Sequence, residues 1–178
     1  NHTDHNAGRI LAAAVDLDIA AAAAPNNEGV IRMHSEDYPP DIIDLSDLEV
    51  RITERYSSTA IIRGVAARFK QLGYRLGGFD AAATSLVPKG SGLSSSAAFE
   101  VLIGLILSHS YNYGELDPLL LAKIGQFAEN QYFGKPCGLM DQTTSAVGGF
   151  VTIDFNDFEN PIVQQVRFDF AASGYTLV

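Results

Sequence analysis

The chain has 178 residues, about one domain's worth, and 47% of them are hydrophobic, ample for a single buried core. Twelve basic residues against 21 acidic ones give a formal charge of −9, which disfavours nucleic acid and anionic membrane surfaces as partners, so an anionic ligand must be held by local dipoles and a cation. The lone Cys137 excludes an internal disulfide and a cysteine-built metal site and makes a reducing cytoplasm the simplest setting, and no apolar run reaches membrane-spanning length.

Residues 1–8 are too polar for a strand interior, and Asn6 and Gly8 favour a turn. Residues 10–24 are apolar but ambiguous in period. Alanine favours helix, whereas Val15, Leu17 and Ile19 alternate with Asp16 and Asp18 as in a half-buried strand. Residues 25–29 read as a hairpin turn, 30–35 as a strand, 37–40 as a break, and 42–52 as an edge-like strand whose acidic residues face water. Over residues 59–72, Ile61, Ile62, Val65, Ala66 and Phe69 oppose Arg63, Arg68 and Lys70. That pattern predicts a core helix with a solvated face, ended by Gly73.

Residues 79–87 are strand-like and lead into Lys89-Gly-Ser-Gly-Leu-Ser-Ser-Ser96, which runs without a spacer into Ala97, Ala98, Val101, Leu102, Leu105 and Ile106, a helical pattern over 94–112. Glycines let successive backbone N–H groups face one concavity, and the helix start adds unpaired donors and the positive end of a macrodipole. Such a loop is an anion cradle. The alternative is a flexible Gly/Ser loop before an ordinary N-capped helix, but a linker is polar on both sides and this run is not. Neither the P-loop spacing nor the dinucleotide GxGxxG is present.

Pro118 starts a further helix, and 119–133 supply its apolar face, with Glu129 near the end. Taken alone, Glu129 reads as a solvated helix terminus. After the break at 134–136 comes Asp141, which by itself reads as a turn or a helix cap. Residues 150–155 and 162–170 are strand-like, so strands, helices and strands follow one another and imply an α+β fold. His2, His5 and Asp4 allow a metal pair, though no complementary His or Cys cluster occurs elsewhere. His34 and His109 read as structural or exposed.

The order Pro-x-Gly-x-Gly-Leu-Ser-Ser-Ser-Ala resembles the second motif of the GHMP sugar and metabolite kinases. Asn1-His2-Thr3-Asp4-His5-Asn6-Ala7-Gly8 resembles the sugar-binding signature of the galactokinase branch, usually Glu-His-Thr-Asp-Tyr-Asn-x-Gly. Cys137-Gly138-Leu139-Met140-Asp141-Gln142 resembles its Cys-Gly-Ile-Met-Asp-Gln segment. The resemblance implies an α+β domain of the ribosomal protein S5 domain 2-like type, a mixed sheet with helices packed on one side. It also implies a helical turn between the sugar loop and the first strand. Residues 1–178 would then be a GHMP N-terminal domain truncated at both ends, with the C-terminal domain absent from the chain and little turnover from this span alone.

The activity implied is transfer of phosphate from ATP to the C1 hydroxyl of galactose, with Mg²⁺ as cofactor. By resemblance Lys89, Gly90, Ser91, Gly92, Leu93, Ser94, Ser95 and Ser96 bind the phosphates. Ser96 and Glu129, eight residues before Cys137, hold the metal. Asp141 is the general base, and Asn1, His2, Asp4, Gly138 and Asp141 contact the sugar. Asn1 replaces the usual glutamate, which keeps a different acceptor open. A non-catalytic sugar and ATP sensor is the remaining alternative. Ile61 stands where the family commonly has a tyrosine near adenine, and the family's helper arginine falls outside the chain.

Overall fold

Strands lie at both ends of the chain and helices occupy its middle. A computed structural model describes residues 6–88, 91–168, 172 and 174. Strands β1 (Arg9–Ala13), β2 (Ile19–Asn26), β3 (Val30–Ser35) and β4 (Asp41–Asp44) come first, followed by a 3-10 turn at Ile52–Glu54. Helix α1 (Ser58–Gln71), strand β5 (Gly78–Ser85), and helices α2 (Ser95–Tyr111) and α3 (Pro118–Ala128) follow. A π-helical turn at Glu129–Phe133, helix α4 (Met140–Val147), and strands β6 (Phe150–Asp154) and β7 (Ile162–Val166) complete the order. No helix among the described residues is long and apolar enough to cross a membrane.

The strands form two sheets. One is mixed, in the order β2-β5-β3-β4, with β5 antiparallel to β2 and parallel to β3; the other, β1-β6-β7, is antiparallel. The helices cover the inner face of the mixed sheet, where Ile31, Met33, Ile43 and Phe79 meet Ile62, Phe69, Ile103 and Leu107. Each such fully buried side chain contributes about 2 kcal/mol. A second cluster joins Ile10, Val151, Ile153 and Phe155 to Ala122 of α3 and to Leu139. Helix α3 is therefore wedged between both cores. The expected α+β class, mixed sheet and one-sided helices are all present.

Four local expectations need correction. Residues 10–24 contain no helical turn. They form β1, a connection and β2, because the alanines of β2 pair in register with β5, as in Ala21↔Ala83 and Ala23↔Ala81, and sheet pairing overrides alanine's helical preference. Residues 25–29 do not close a hairpin, since β5 lies between β2 and β3. Gly78 permits that insertion, because a Cβ there would collide with the Asn26 side chain and the Val30 backbone.

Of the edge strand expected over 42–52 only residues 42–44 form, within β4 (Asp41–Asp44), although Asp44, Asp47 and Glu49 are exposed as anticipated. Asp44 accepts from the Ser46 amide at 2.8 Å and Asp47 from the Glu49 amide at 3.2 Å. Such local turns compete with the ladder. Finally, Arg63 is not on a solvated face: it is 2% exposed. Its guanidinium forks onto Glu54, Nε to Oε2 at 2.7 Å and Nη2 to Oε1 at 2.8 Å, and donates to the Asp47 carbonyl. The segment after β4 wraps over α1 and supplies these partners.

Candidate active site

Among the described residues of the connection from β5 into α2, Gly92 with φ +77° and Ser94 with φ +57° are left-handed. Helix α1 is capped by Ser57, which accepts from the Ala60 amide, and α3 by Asp117, which accepts from the Leu119 and Leu120 amides. Ser94 holds the equivalent position of α2 and accepts no amide there. Donors at a long helix's start that are left without a side-chain acceptor, reinforced by the macrodipole, suit an anion. Ser91 is committed to the turn itself, donating to the Pro88 carbonyl at 2.7 Å and accepting from the Leu93 amide at 3.3 Å. Ser95 and Ser96 sit in the first turn of α2, while Lys89 and Gly90 lie outside the described residues.

The Ser94 hydroxyl instead donates to Oδ2 of Asp141 at 2.7 Å. Asp141 belongs to the first turn of α4, which accounts for its cap-like sequence context. Both residues line one cleft of about 450 Å³, together with Gly92, Leu93, Thr144 and the β1–β2 connection at Ala14 and Asp18. The loop before α4 is held by a side-chain clamp. Asn130 Oδ1 accepts from the Cys137 amide at 2.7 Å, and the Cys137 carbonyl accepts from Gln126 and Asn130 at 3.3 and 3.4 Å. Gly138 follows the clamp, half-buried and outside the cleft lining.

On the far side of the α2 start, Ser96 Oγ donates to Glu129 Oε1 at 3.2 Å, and Lys135 Nζ stands 3.5 Å from the same oxygen. Glu129 is no solvated helix end, being 2% exposed. It stands where α3 widens into the π-helical turn, and its carbonyl accepts from the amides of Gly134 and Lys135. Single π turns of this kind often mark functional positions. A hydroxyl beside a carboxylate is an all-oxygen donor pair suited to a hard divalent cation. Among the described residues no group of three or more His, Cys, Asp or Glu is arranged to hold a metal.

Behind Glu129 lies a buried polar cluster that sequence reading did not assign. Gln142 Nε2 donates to Glu100 Oε2 at 2.9 Å and to Glu129 Oε2 at 3.0 Å, with Cys137 Sγ at 3.5 Å. Burial, then the neighbouring Glu129 charge, pushes the Glu100 carboxyl up to about 8. Burial and the same neighbour push the Cys137 thiol up, so it stays protonated and unreactive. The available signal was Glu100, a carboxylate inside an otherwise apolar helical run. The other sugar-contact candidates, Asn1, His2 and Asp4, lie outside the described residues; Ile61, at the position aligned with the adenine-side tyrosine, is packed in the core.

Residues 60–149 match the family described as GHMP kinases N terminal domain, about half of the chain. The chain belongs to the GHMP kinases. The stretch shared with other GHMP kinases contains Ser94, Ser96, Glu129 and Asp141. A galactokinase of Streptomyces coelicolor is 37% identical over 180 residues, covering 99% of this chain and 46% of that protein. A galactokinase of Bacillus subtilis is 38% identical over 149 residues, covering 83% and 38% respectively. Among solved GHMP kinase structures, that of Lactococcus lactis galactokinase complexed with galactose superposes with a TM-score of 0.81 at 26% identity, covering 93% of this chain and 44% of that one. The chain thus spans less than half the length of these relatives.

Proposed function

We propose that the chain is the N-terminal part of a cytoplasmic galactokinase that works with a second domain. Such an enzyme transfers the γ-phosphoryl group of ATP to the C1 hydroxyl of galactose, giving galactose 1-phosphate and ADP. The C1 oxygen forms a bond to the γ-phosphorus, the bond to the β-phosphate bridging oxygen breaks, and the proton of the C1 hydroxyl passes to Asp141. The observation that carries this reading is the 2.7 Å hydrogen bond between Ser94 and Asp141, which joins an anion-binding helix start to a carboxylate in one cleft.

The loop from Lys89 to Ser96 would hold the phosphates, chiefly through the amides of Gly92 and of Ser94 to Ser96, since those of Ser91 and Leu93 donate within the turn. Ser96 and Glu129 would hold Mg²⁺, and their oxygen-only chemistry fits it. When bound, the cation neutralises charge on the phosphate oxygens. Asn1, His2, Asp4 and Gly138 would sort sugars, since a hydroxyl in the wrong configuration leaves polar groups unpaired. Asn1, an amide that donates as well as accepts, favours a second reading in which the acceptor is a different sugar.

ADP release by the full-length polypeptide, measured with ATP, Mg²⁺ and a panel of sugars, tests both. Galactose-dependent turnover that falls about 10³-fold in Asp141→Ala, with nucleotide binding retained, is the expected result. Turnover only with another sugar establishes the second reading. Binding of sugar and ATP without turnover identifies a sensor and overturns the enzyme.

A further inference from the structure

We propose that Gln142 is a positioning residue that decides which oxygen of Glu129 faces the metal. The inference rests on the reading of Ser96 and Glu129 as the Mg²⁺ ligands. The two carboxylate oxygens of Glu129 have different surroundings. Oε1 meets Ser96 Oγ at 3.2 Å and Lys135 Nζ at 3.5 Å, whereas Oε2 accepts from Gln142 Nε2 at 3.0 Å. Gln142 is 1% exposed, so its amide has no solvent to turn toward. Oε2 is thereby an anchor, and Oε1 is the oxygen presented beside the α2 start.

An amide is the right chemistry for that anchor. The Nε2 group has two N–H bonds, and the second reaches Glu100 Oε2 at 2.9 Å, so one neutral side chain ties two buried carboxyl groups together. Lysine or arginine there would satisfy the same oxygens but would bury a fixed positive charge against Oε2, on top of the exposed Lys135 ammonium already 3.5 Å from Oε1, and oppose a divalent cation. Glutamine adds no charge of its own. Gln142 also follows Asp141 in the first turn of α4, and Glu100 stands on the helix that carries Ser96. The bridge therefore connects the helix of the proton acceptor, the helix of the hydroxyl ligand and the turn bearing the carboxylate ligand. Partners that orient a metal's ligands commonly matter 10- to 100-fold for affinity.

The test uses the full-length polypeptide and Gln142→Met, which keeps the length of the side chain and removes its donors. Mn²⁺ affinity is read by electron paramagnetic resonance in the presence of a non-hydrolysable ATP analogue, alongside the Mg²⁺ activation constant and the KM for galactose. The expected result is Mn²⁺ binding and Mg²⁺ activation weakened about tenfold or more, with the galactose KM within about twofold of wild type. Should the methionine variant fail to fold, Gln142→Asn, which withdraws the amide from Glu129 by one methylene, carries the same expectation. A folded variant with Mn²⁺ affinity within about twofold of wild type overturns the proposal, as does equal weakening of metal and galactose. Absence of sugar turnover in the wild type overturns the galactokinase reading alone, because the Mn²⁺ titration needs no acceptor.

Discussion

Ser94 and Asp141, 47 residues apart in the chain, are joined by a hydrogen bond of 2.7 Å from the serine hydroxyl to Oδ2 of the aspartate. Ser94 makes this bond from a left-handed backbone, φ +57° and ψ +44°, which costs a non-glycine residue about 1 kcal/mol. Ser94→Ala keeps the strained backbone and loses the donor, and its turnover is expected to fall about tenfold. Ser94→Gly also loses the donor but relieves the strain. It should match the alanine variant in ADP release while unfolding in urea at about 1 kcal/mol higher free energy. Equal stability of the two variants would contradict the strain argument.

Arg63 and Glu54 form a forked pair almost out of water, their side chains 2% and 16% exposed. Arg63→Met leaves the mostly buried glutamate with only the longer contact from the half-exposed Arg51, 3.3 Å from Oε1, and should cost about 3 kcal/mol in denaturant unfolding. Adding Glu54→Leu should recover most of that loss, because a buried pair replaced on both sides is close to neutral. Arg63→Lys should recover only part, since an ammonium cannot fork onto a carboxylate and also reach the Asp47 carbonyl.

Helices α1 and α3 touch at Gly64, where an added Cβ would lie 2.8 Å from Ala128 Cβ and 2.9 Å from Ala128 Cα. Gly64→Ala is therefore expected to destabilise by about 1 to 3 kcal/mol, measured by thermal unfolding. Ala128 directly precedes Glu129, so the same variant should weaken Mg²⁺ activation. Ala128→Gly in the same chain should restore stability only in part, because the backbone of residue 128 still stands in the way of the new methyl group.

The Glu100 carboxyl, held up to about 8 against an ordinary value of 4.5, binds its proton more tightly in the folded than in the unfolded state. Its Oε1 has no hydrogen-bond partner among the described residues, so ionisation there is poorly compensated. The unfolded chain releases that proton near pH 4.5 and the folded one near 8. Stability should consequently fall as pH rises through this window and level off above it, by about 1 to 3 kcal/mol. Glu100→Gln should flatten that part of the pH profile and be the more stable protein at about pH 9. An unchanged profile would show that Glu100 is ionised when folded.

Much of the candidate site was legible in the sequence alone. Gly92, Ser94, Ser96, Glu129 and Asp141 carry side chains or backbone freedom that anion, cation and proton chemistry require, and that chemistry restricts residue type and order along the chain. Helices α1, α2 and α3 were legible as well, through apolar spacing, Pro118 at a first turn and Gly73 beyond a last one. These are local signals. Neighbours within a turn or two decide them.

Other features depended on partners far away in the chain. The alanines of β2 became strand because β5, about 60 residues later, lies alongside them. Arg63 was assigned to water by its place in the helical period and to the interior by the segment that folds over α1. The bridge from Gln142 to Glu100 and Glu129 spans 42 and 13 residues. Composition and motif order thus determined the α+β class and the candidate residues for the chemistry, while only the tertiary structure decided strand order, the burial of charge and which oxygen of Glu129 faces the helix start. The physical reason is range: backbone preference and side-chain chemistry are written within a few residues, whereas pairing and desolvation exist only once distant segments have met.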